Sequence, residues 1–242
     1  MTDDSRDLYN RKYATEEWRT VELRPNALST TRYDDVARLL VDERGDALEL
    51  GCGSGGLSVA LADHFARVVG LDLSDVRIEL ARRAVAEHRP DLAGRIEFTR
   101  GDAGGRLEFA DGSFDVVVAC AVLEHVLDPF LLLDEIARVC RPGGCTVVTV
   151  PNICYLKNVK DLLLGRVPLT GSPTRDIAYW RKHGWDGAHL HYFSRDSLHA
   201  LLVDAGFDPE VWTGDGRFAR LRRWHTNLVG NLTVRARRRA GG

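Results

Sequence analysis

Two groups of residues in this sequence could do chemistry. One is a run of glycines flanked by acids, and the other is a scatter of histidines. The run Glu49-Leu-Gly51-Cys52-Gly53-Ser-Gly55-Gly56 holds four glycines within six positions. Glycines let the main chain turn sharply and approach a ligand closely. A helix starting just after them would aim its unpaired N–H groups and positive dipole end at the same point. Asp72 follows at about the usual distance for an acid that accepts hydrogen bonds from a ribose diol. Gly51, Gly53 and Gly56 satisfy GxGxxG, a pattern shared by nicotinamide enzymes and by plain structural turns. Glu49 argues against a pyrophosphate there, because its carboxylate would repel one and suits a cationic ligand. Asp102, after Gly101 and before Ala103, can accept from an exocyclic adenine amine. Its plainer reading is a turn acid. Cys120 and Ala121 close a long apolar run just before Leu123-Glu124-His125.

His125, His189 and His191 are the candidate bases for removing a proton from a hydroxyl, since imidazole titrates near neutrality. His189 and His191 alternate, so in an extended chain they face opposite sides. Asp186, His189 and His191 could instead ligate a divalent ion. Their spacing does not require one, and no metal is expected. His183 would be a fourth donor, but it sits beside Gly184 and reads as loop surface.

Those residues need elements to hold them. Strand-like and helix-like runs alternate from 46 to 150, which implies a parallel sheet wound on both faces. Strands are expected at 47–50, 68–72, 96–99, 114–120 and 146–150. Val-Val-Val and Val-Val-Thr-Val fit strands buried on both sides. Helices are expected at 57–67, after an Ser74 N-cap with Val76, Leu80, Ala84 and Val85 as its stripe, and through Phe130, Leu133, Ile136 and Val139. Pro142-Gly143-Gly144 should stop the last of these. Residues 151–193 break the rhythm and read as an insertion. Ser194 then caps a helix carrying Leu198, Leu201 and Leu202, and two strands near 211–212 and 232–234 end the chain.

Composition agrees with a folded domain. The chain has 242 residues, 44% hydrophobic and 28% charged, which excludes a disordered tail, a collagen-like fibre and a disulfide mini-protein. Lys+Arg 33 against Asp+Glu 35 leaves no strong bias. Eight of the Arg, and no acid, fall in 217–242, so the preceding 216 residues carry 25 basic against 35 acidic side chains. That balance disfavours a nucleic-acid partner. No run approaches the roughly 18 apolar residues of a membrane span. The acidic, polar start is unlike a signal peptide. Five irregularly spaced Cys fit neither a disulfide framework nor a zinc site, which makes a reducing cytoplasm the expectation and the sequon at Asn231 incidental.

Taken in order, the runs at 48–56, 68–74, 101–103, 114–126 and 141–144 resemble the class I S-adenosylmethionine-dependent methyltransferases. The resemblance is strong over 40–150 and weak through His189-Leu-His191-Tyr-Phe-Ser194. It implies a Rossmann-like, doubly wound, mostly parallel seven-stranded α/β sheet with an antiparallel last strand and an inserted acceptor-binding segment. One domain, 1–242, would comprise an N-terminal cap (1–40), the cofactor core (46–150), the acceptor insertion (151–193) and the C-terminal helix and strands (194–242). The cofactor implied is S-adenosyl-L-methionine. Glu49 would sit near its methionine part, with the main chain of Gly51, Cys52, Gly53 and Gly55 beneath it. Asp72 would bind the ribose with Leu73 beside the adenine, Asp102 and Ala103 would meet the adenine edge, and Cys120 and Ala121 would face the amino-acid end.

The expected reaction is in-line methyl transfer to a small-molecule acceptor, with a hydroxyl of a sugar or glycoside favoured. N- or C-methylation, or a non-catalytic cofactor-binding module, are the alternatives. Tyr155, Tyr179, Trp180, Trp185, Tyr192 and Phe193 give the insertion aromatic faces for a sugar ring, or else a satellite core. Some sugar-modifying relatives of this kind use a divalent ion. Tyr9, Tyr13 and Trp18 resemble a mobile cap, or else belong to a packed N-terminal helix, and Arg217, Arg220, Arg222 and Arg223 offer either a solvated edge or a clamp for an anionic acceptor.

Overall fold

Continuous apolar runs force the central strands to bury both faces. A computed structural model of the chain, describing residues 10, 21, 31–215 and 229–240, shows how. Its strands are β1 (Asp46–Leu50), β2 (Arg67–Asp72), β3 (Ile96–Arg100), β4 (Phe114–Cys120), β5 (Cys140–Pro151), β6 (Phe207–Thr213) and β7 (Asn231–Arg238). They form one seven-stranded sheet in the order β3-β2-β1-β4-β5-β7-β6. The first five are mutually parallel. The last strand, β7, runs antiparallel to both neighbours, β5 and β6.

Seven helices attend the sheet among the described residues: α1 (Arg32–Leu40), α2 (Gly56–Leu61), α3 (Asp75–His88), α4 (Pro129–Val139), α5 (Leu156–Leu163), α6 (Ile177–His183) and α7 (Arg195–Asp204). Leu48, Leu50, Val117 and Ala119 point to one face, where they meet Leu133 and Ile136 of α4 and Leu198 of α7. Ala47, Val116 and Val118 point to the other, against Val36 of α1, Leu57 of α2 and Ile78 of α3. This is the period-two alternation of a strand with a core on each side. Strand order reverses between β1 and β4, so a crevice opens at their carboxyl ends, where ligands bind in open α/β sheets.

Several local expectations shift. The helix expected at 57–67 ends at Leu61, because Arg95 Nη2 donates to the carbonyls of Ala62 and Phe65 and holds the chain in a turn. The buried stripe of α3 is Ile78, Ala81, Ala84 and Val85, so Val76 and Leu80 lie beside it. Ser74 does cap this helix, accepting from Arg77 N. Phe130 is 57% exposed, and Leu132 takes the inward position that the pattern assigned to it. Pro142-Gly143-Gly144 falls inside the irregular start of β5, where the register to β4 shifts. Ser194 caps α7 with a full capping box.

All five cysteines are free thiols. Asn231 and Thr233 lie within β7, with Thr233 fully buried and its hydroxyl 3.1 Å from that of Thr149. No helix among the described residues is long and apolar enough to cross a membrane. Tyr9, Tyr13 and Trp18 of the expected cap, and Arg217, Arg220, Arg222 and Arg223 of the expected clamp, lie outside the described residues.

Candidate active site

The loop from β1 to α2 needs its glycines. Gly51, Gly53 and Gly55 all hold positive φ, at 68°, 57° and 85°. At Gly51 a Cβ would also come within 2.7 Å of Val122 Cγ2, so any side chain would push into the β4–α4 loop opposite. Gly55 is the left-handed residue that starts α2.

Asp72, at the end of β2, ties this loop down. Its Oδ2 accepts from Gly53 N at 2.9 Å, and its Oδ1 accepts from Ser74 N at 2.9 Å. Arg77 Nη1 lies 3.7 Å from Oδ2. The carboxylate is 5% exposed and borders the crevice. Each oxygen can accept about two hydrogen bonds, so both keep capacity for a vicinal diol. Asp102 Oδ1 accepts from Gly104 N at 2.8 Å, so it is a turn acid that also lines the crevice. Ala121 holds φ +60°, costly for a residue with a Cβ, and its N–H donates to Thr149 O at 2.9 Å.

The crevice is lined by Gly51, Leu71, Asp72, Leu73, Arg77, Gly101, Asp102, Ala103, Gly104, Ala121, Val122, His125, Val126 and Leu127. Six of the expected cofactor residues are therefore on its wall: Gly51, Asp72, Leu73, Asp102, Ala103 and Ala121. Gly53 and Gly55 lie in the loop behind Gly51. Cys52 and Cys120 are buried in the core on the α1–α3 face, and burial pushes both thiols up, Cys120 to about 12. Glu49 is also buried, bonded by the Ser58 hydroxyl. Burial raises its carboxyl to about 8, with the Ser58 bond opposing and the Asp72 charge adding. Arg77 escaped the sequence reading, although a cation in the first turn of α3 opposes the helix dipole and so calls for an acid such as Asp72.

His125 is the one expected base on the wall. Its Nδ1 lies 3.1 Å from Ala188 O. His189 stands behind it, ring centroids 4.8 Å apart and edge-to-face. His191 Nε2 lies 3.0 Å from Val126 O and 3.3 Å from Leu127 O, so it straps the insertion onto the β4–α4 loop. Leu190 N adds to the strap by donating to Glu124 O at 2.7 Å.

Asp186 does not join His189 and His191 as an ion site. Its buried carboxylate accepts from Thr170 N, Gly171 N and Ser172 N, from the Thr170 hydroxyl at 2.8 Å, and from the Tyr192 hydroxyl at 3.3 Å. Burial pushes this carboxyl up, but the converging donors outweigh it and hold it below the ordinary carboxylate value. Beside His125 and His189 the structure places Glu124, fully buried and with no hydrogen-bond partner on either oxygen among the described residues, its Oε1 4.0 Å from His189 Nε2. Burial raises it to about 7. The signal for it was a charge inside the apolar run that ends β4, a charge the fold has to bury.

The insertion aromatics turn to one another. Trp180 and Trp185 rings lie 4.5 Å apart, Trp180 Nε1 donates to Ser172 Oγ and Thr174 O, and Tyr179 stacks on His183 at 4.2 Å. Phe193 is in the core. None of the six lines the crevice.

Comparison with known proteins agrees with this geometry. Residues 48–148 match the family described as Methyltransferase domain. A probable S-adenosylmethionine-dependent methyltransferase of Mycolicibacterium smegmatis is 31% identical over 169 residues, covering 70% of this chain and 54% of the relative. The 27-O-demethylrifamycin SV methyltransferase of Amycolatopsis mediterranei is 35% identical over 185 residues, covering 75% of this chain and 61% of the relative. The chain thus spans a little over half the length of these curated relatives. A SAM-dependent methyltransferase of Methanosarcina mazei has the same fold, with a TM-score of 0.63 and 24% identity over 91% of this chain and all of that one. By its motifs, its strand order, the acids on its crevice and these likenesses, the chain belongs to the class I S-adenosylmethionine-dependent methyltransferases.

Proposed function

We propose that this chain transfers the methyl group of S-adenosylmethionine to a hydroxyl of a small-molecule acceptor. One observation carries the reading: a single crevice is lined both by acids, Asp72 and Asp102, and by an imidazole, His125. The residues fit the cofactor. The Gly51 floor admits no Cβ, and Asp72 keeps acceptor capacity on both oxygens after binding the loop. When bound, S-adenosylmethionine supplies a sulfonium methyl, whose C–S bond breaks as the C–O bond to the acceptor forms. The protein's part is alignment and charge. Asp72 accepts from the ribose hydroxyls, and Asp102 and Ala103 meet the adenine edge. Glu49 lies behind the methionine end and becomes negative there once the bound cation lowers its pKa.

His125 is the ionisable side chain at the acceptor end, with His189 behind it and His191 holding the loop that carries it. A hydroxyl acceptor is favoured because the lone pair of an imidazole stands where its proton must leave. The rifamycin relative, named for an oxygen site, supports the same choice. Among the described residues no insertion aromatic lines the crevice, so the acceptor is proposed as a hydroxylated metabolite without a sugar being singled out. Five free thiols suit a reducing compartment such as the cytoplasm. Incubation with S-adenosylmethionine and a panel of phenols, saccharides, amines and acids, read by release of S-adenosylhomocysteine, tests the reading. Turnover with hydroxyl compounds and loss of at least tenfold in His125→Ala are expected. Turnover confined to amines would overturn the choice of acceptor.

Glu49 makes a pH-dependent prediction. Its pKa of about 8 keeps it protonated at neutrality. A cation bound nearby favours the carboxylate and lowers that pKa, so binding between the lowered value and 8 releases a proton. Calorimetry at pH 7 in buffers of different ionisation enthalpy should therefore show up to about one proton leaving per cofactor bound. Glu49→Gln should abolish the buffer dependence. Equal buffer dependence in both proteins would remove Glu49 from the cofactor's surroundings.

A further inference from the structure

Glu124, His125 and His189 each offer a ligand atom, and the three atoms lie within 4.8 Å of one another. Their hydrogen bonds fix what those atoms are. A carbonyl only accepts, so His125 Nδ1 gives its proton to Ala188 O, and the lone pair of that ring is on Nε2. The Thr170 hydroxyl spends its proton on Asp186 Oδ2, so it accepts from His189 Nδ1 at 2.8 Å. The lone pair of His189 is then on Nε2, which lies 4.0 Å from Glu124 Oε1. Glu124 is fully buried and neither carboxylate oxygen has a hydrogen-bond partner among the described residues. A buried carboxylate without a partner is costly.

We propose that Glu124, His125 and His189 bind a divalent first-row transition-metal ion at the acceptor end of the crevice, and that this ion takes the acceptor by its oxygen. Two imidazoles and one carboxylate with open positions suit such ions. The outer bonds match as well. Metal-bound histidines give their second N–H to a carbonyl or to a carboxylate-linked group, as His125 does to Ala188 and His189 does through Thr170 to Asp186. Donor atoms around such an ion stand about 3 Å apart, so the trio closes on it by side-chain rotation. His125 lines the crevice, so the ion borders the acceptor. An acceptor with two neighbouring oxygens could chelate it, and the ion would lower the pKa of the hydroxyl that is methylated. In that arrangement His125 is a ligand, the acidity of the hydroxyl comes from the ion, and the proton leaves to solvent water before the C–O bond forms and the C–S bond breaks. The ligand class rests on the hydroxyl reading above, while the ion site itself does not.

The test uses the whole chain, stripped with chelator and titrated separately with Mn2+, Co2+ and Zn2+, with S-adenosylhomocysteine binding measured on the same samples. One ion per chain is expected, with Co2+ giving the visible absorption of nitrogen and oxygen ligation. Glu124→Gln and His189→Ala should each weaken uptake by tenfold or more. Glu124→Gln should keep its affinity for S-adenosylhomocysteine within about twofold, which shows that it folds. His183→Ala, on the half-buried stack with Tyr179, should leave uptake unchanged. A protein that binds S-adenosylhomocysteine but takes up none of the three ions overturns the site, as does uptake indifferent to both substitutions. Ion uptake without S-adenosylhomocysteine binding would instead overturn the proposed function and leave the ion site standing.

Discussion

Asp72→Ala is expected to lower the affinity for S-adenosylmethionine by about a hundredfold or more. A hydrogen bond to a charged group contributes about 1.5–3 kcal/mol, and a ribose diol would make two to this carboxylate. Each 1.4 kcal/mol is about tenfold in affinity. The substitution also strips the partners from Gly53 N and Ser74 N, which join the glycine loop to the start of α3. Melting temperature should therefore fall along with affinity. Asp72→Asn separates the two effects, since one oxygen remains to accept while the charge and half the acceptor capacity are gone. It should bind more weakly than the native protein and more tightly than Asp72→Ala. If Asp72→Ala stays folded and binds within threefold of the native protein in calorimetry, the ribose assignment is lost.

Asp186→Ala should produce the largest loss of stability of any single substitution in the insertion. Its carboxylate is the common acceptor for three consecutive main-chain N–H groups at 170–172, and for two hydroxyls. Removing it leaves several donors without a partner in a buried place, at a cost of about 3 kcal/mol or more. The damage should be local. Limited proteolysis should cut between 165 and 190 in the variant and spare this stretch in the native protein. The pH sign follows from the depressed pKa. The bonds of Asp186 stabilise the fold above the ordinary carboxylate range, and that contribution is lost as pH falls through the folded value. Native protease resistance of the insertion should therefore hold through neutrality and fail in acid. Equal cleavage of the two proteins at pH 7 would show that Asp186 does not organise this segment.

The cofactor half of the site was legible because its signals are local. Strands buried on both faces write themselves as Val and Leu runs, and a loop that needs positive φ writes itself as glycines. The spacing from Gly51 to Asp72 is set by one loop–helix–strand unit. What the sequence hid depends on contacts across the chain. Helix α2 is cut short by Arg95, some 30 residues away. Asp186 looked like an ion ligand because its real partners are main-chain N–H groups, which no side chain announces. The grouping of Glu124 with His189 arises only when the insertion folds back over the β4–α4 loop, held by Leu190 and His191. The aromatics could not reveal whether they would face a ligand or one another, since both uses require the same composition.

A crystal structure of the chain with S-adenosylhomocysteine bound tests the central claim most directly. The ribose hydroxyls should meet both oxygens of Asp72, with the adenine edge against Asp102 and Ala103. The sulfur should point along the crevice toward His125. A ligand seated elsewhere, or one whose ribose leaves Asp72 untouched, would contradict the account.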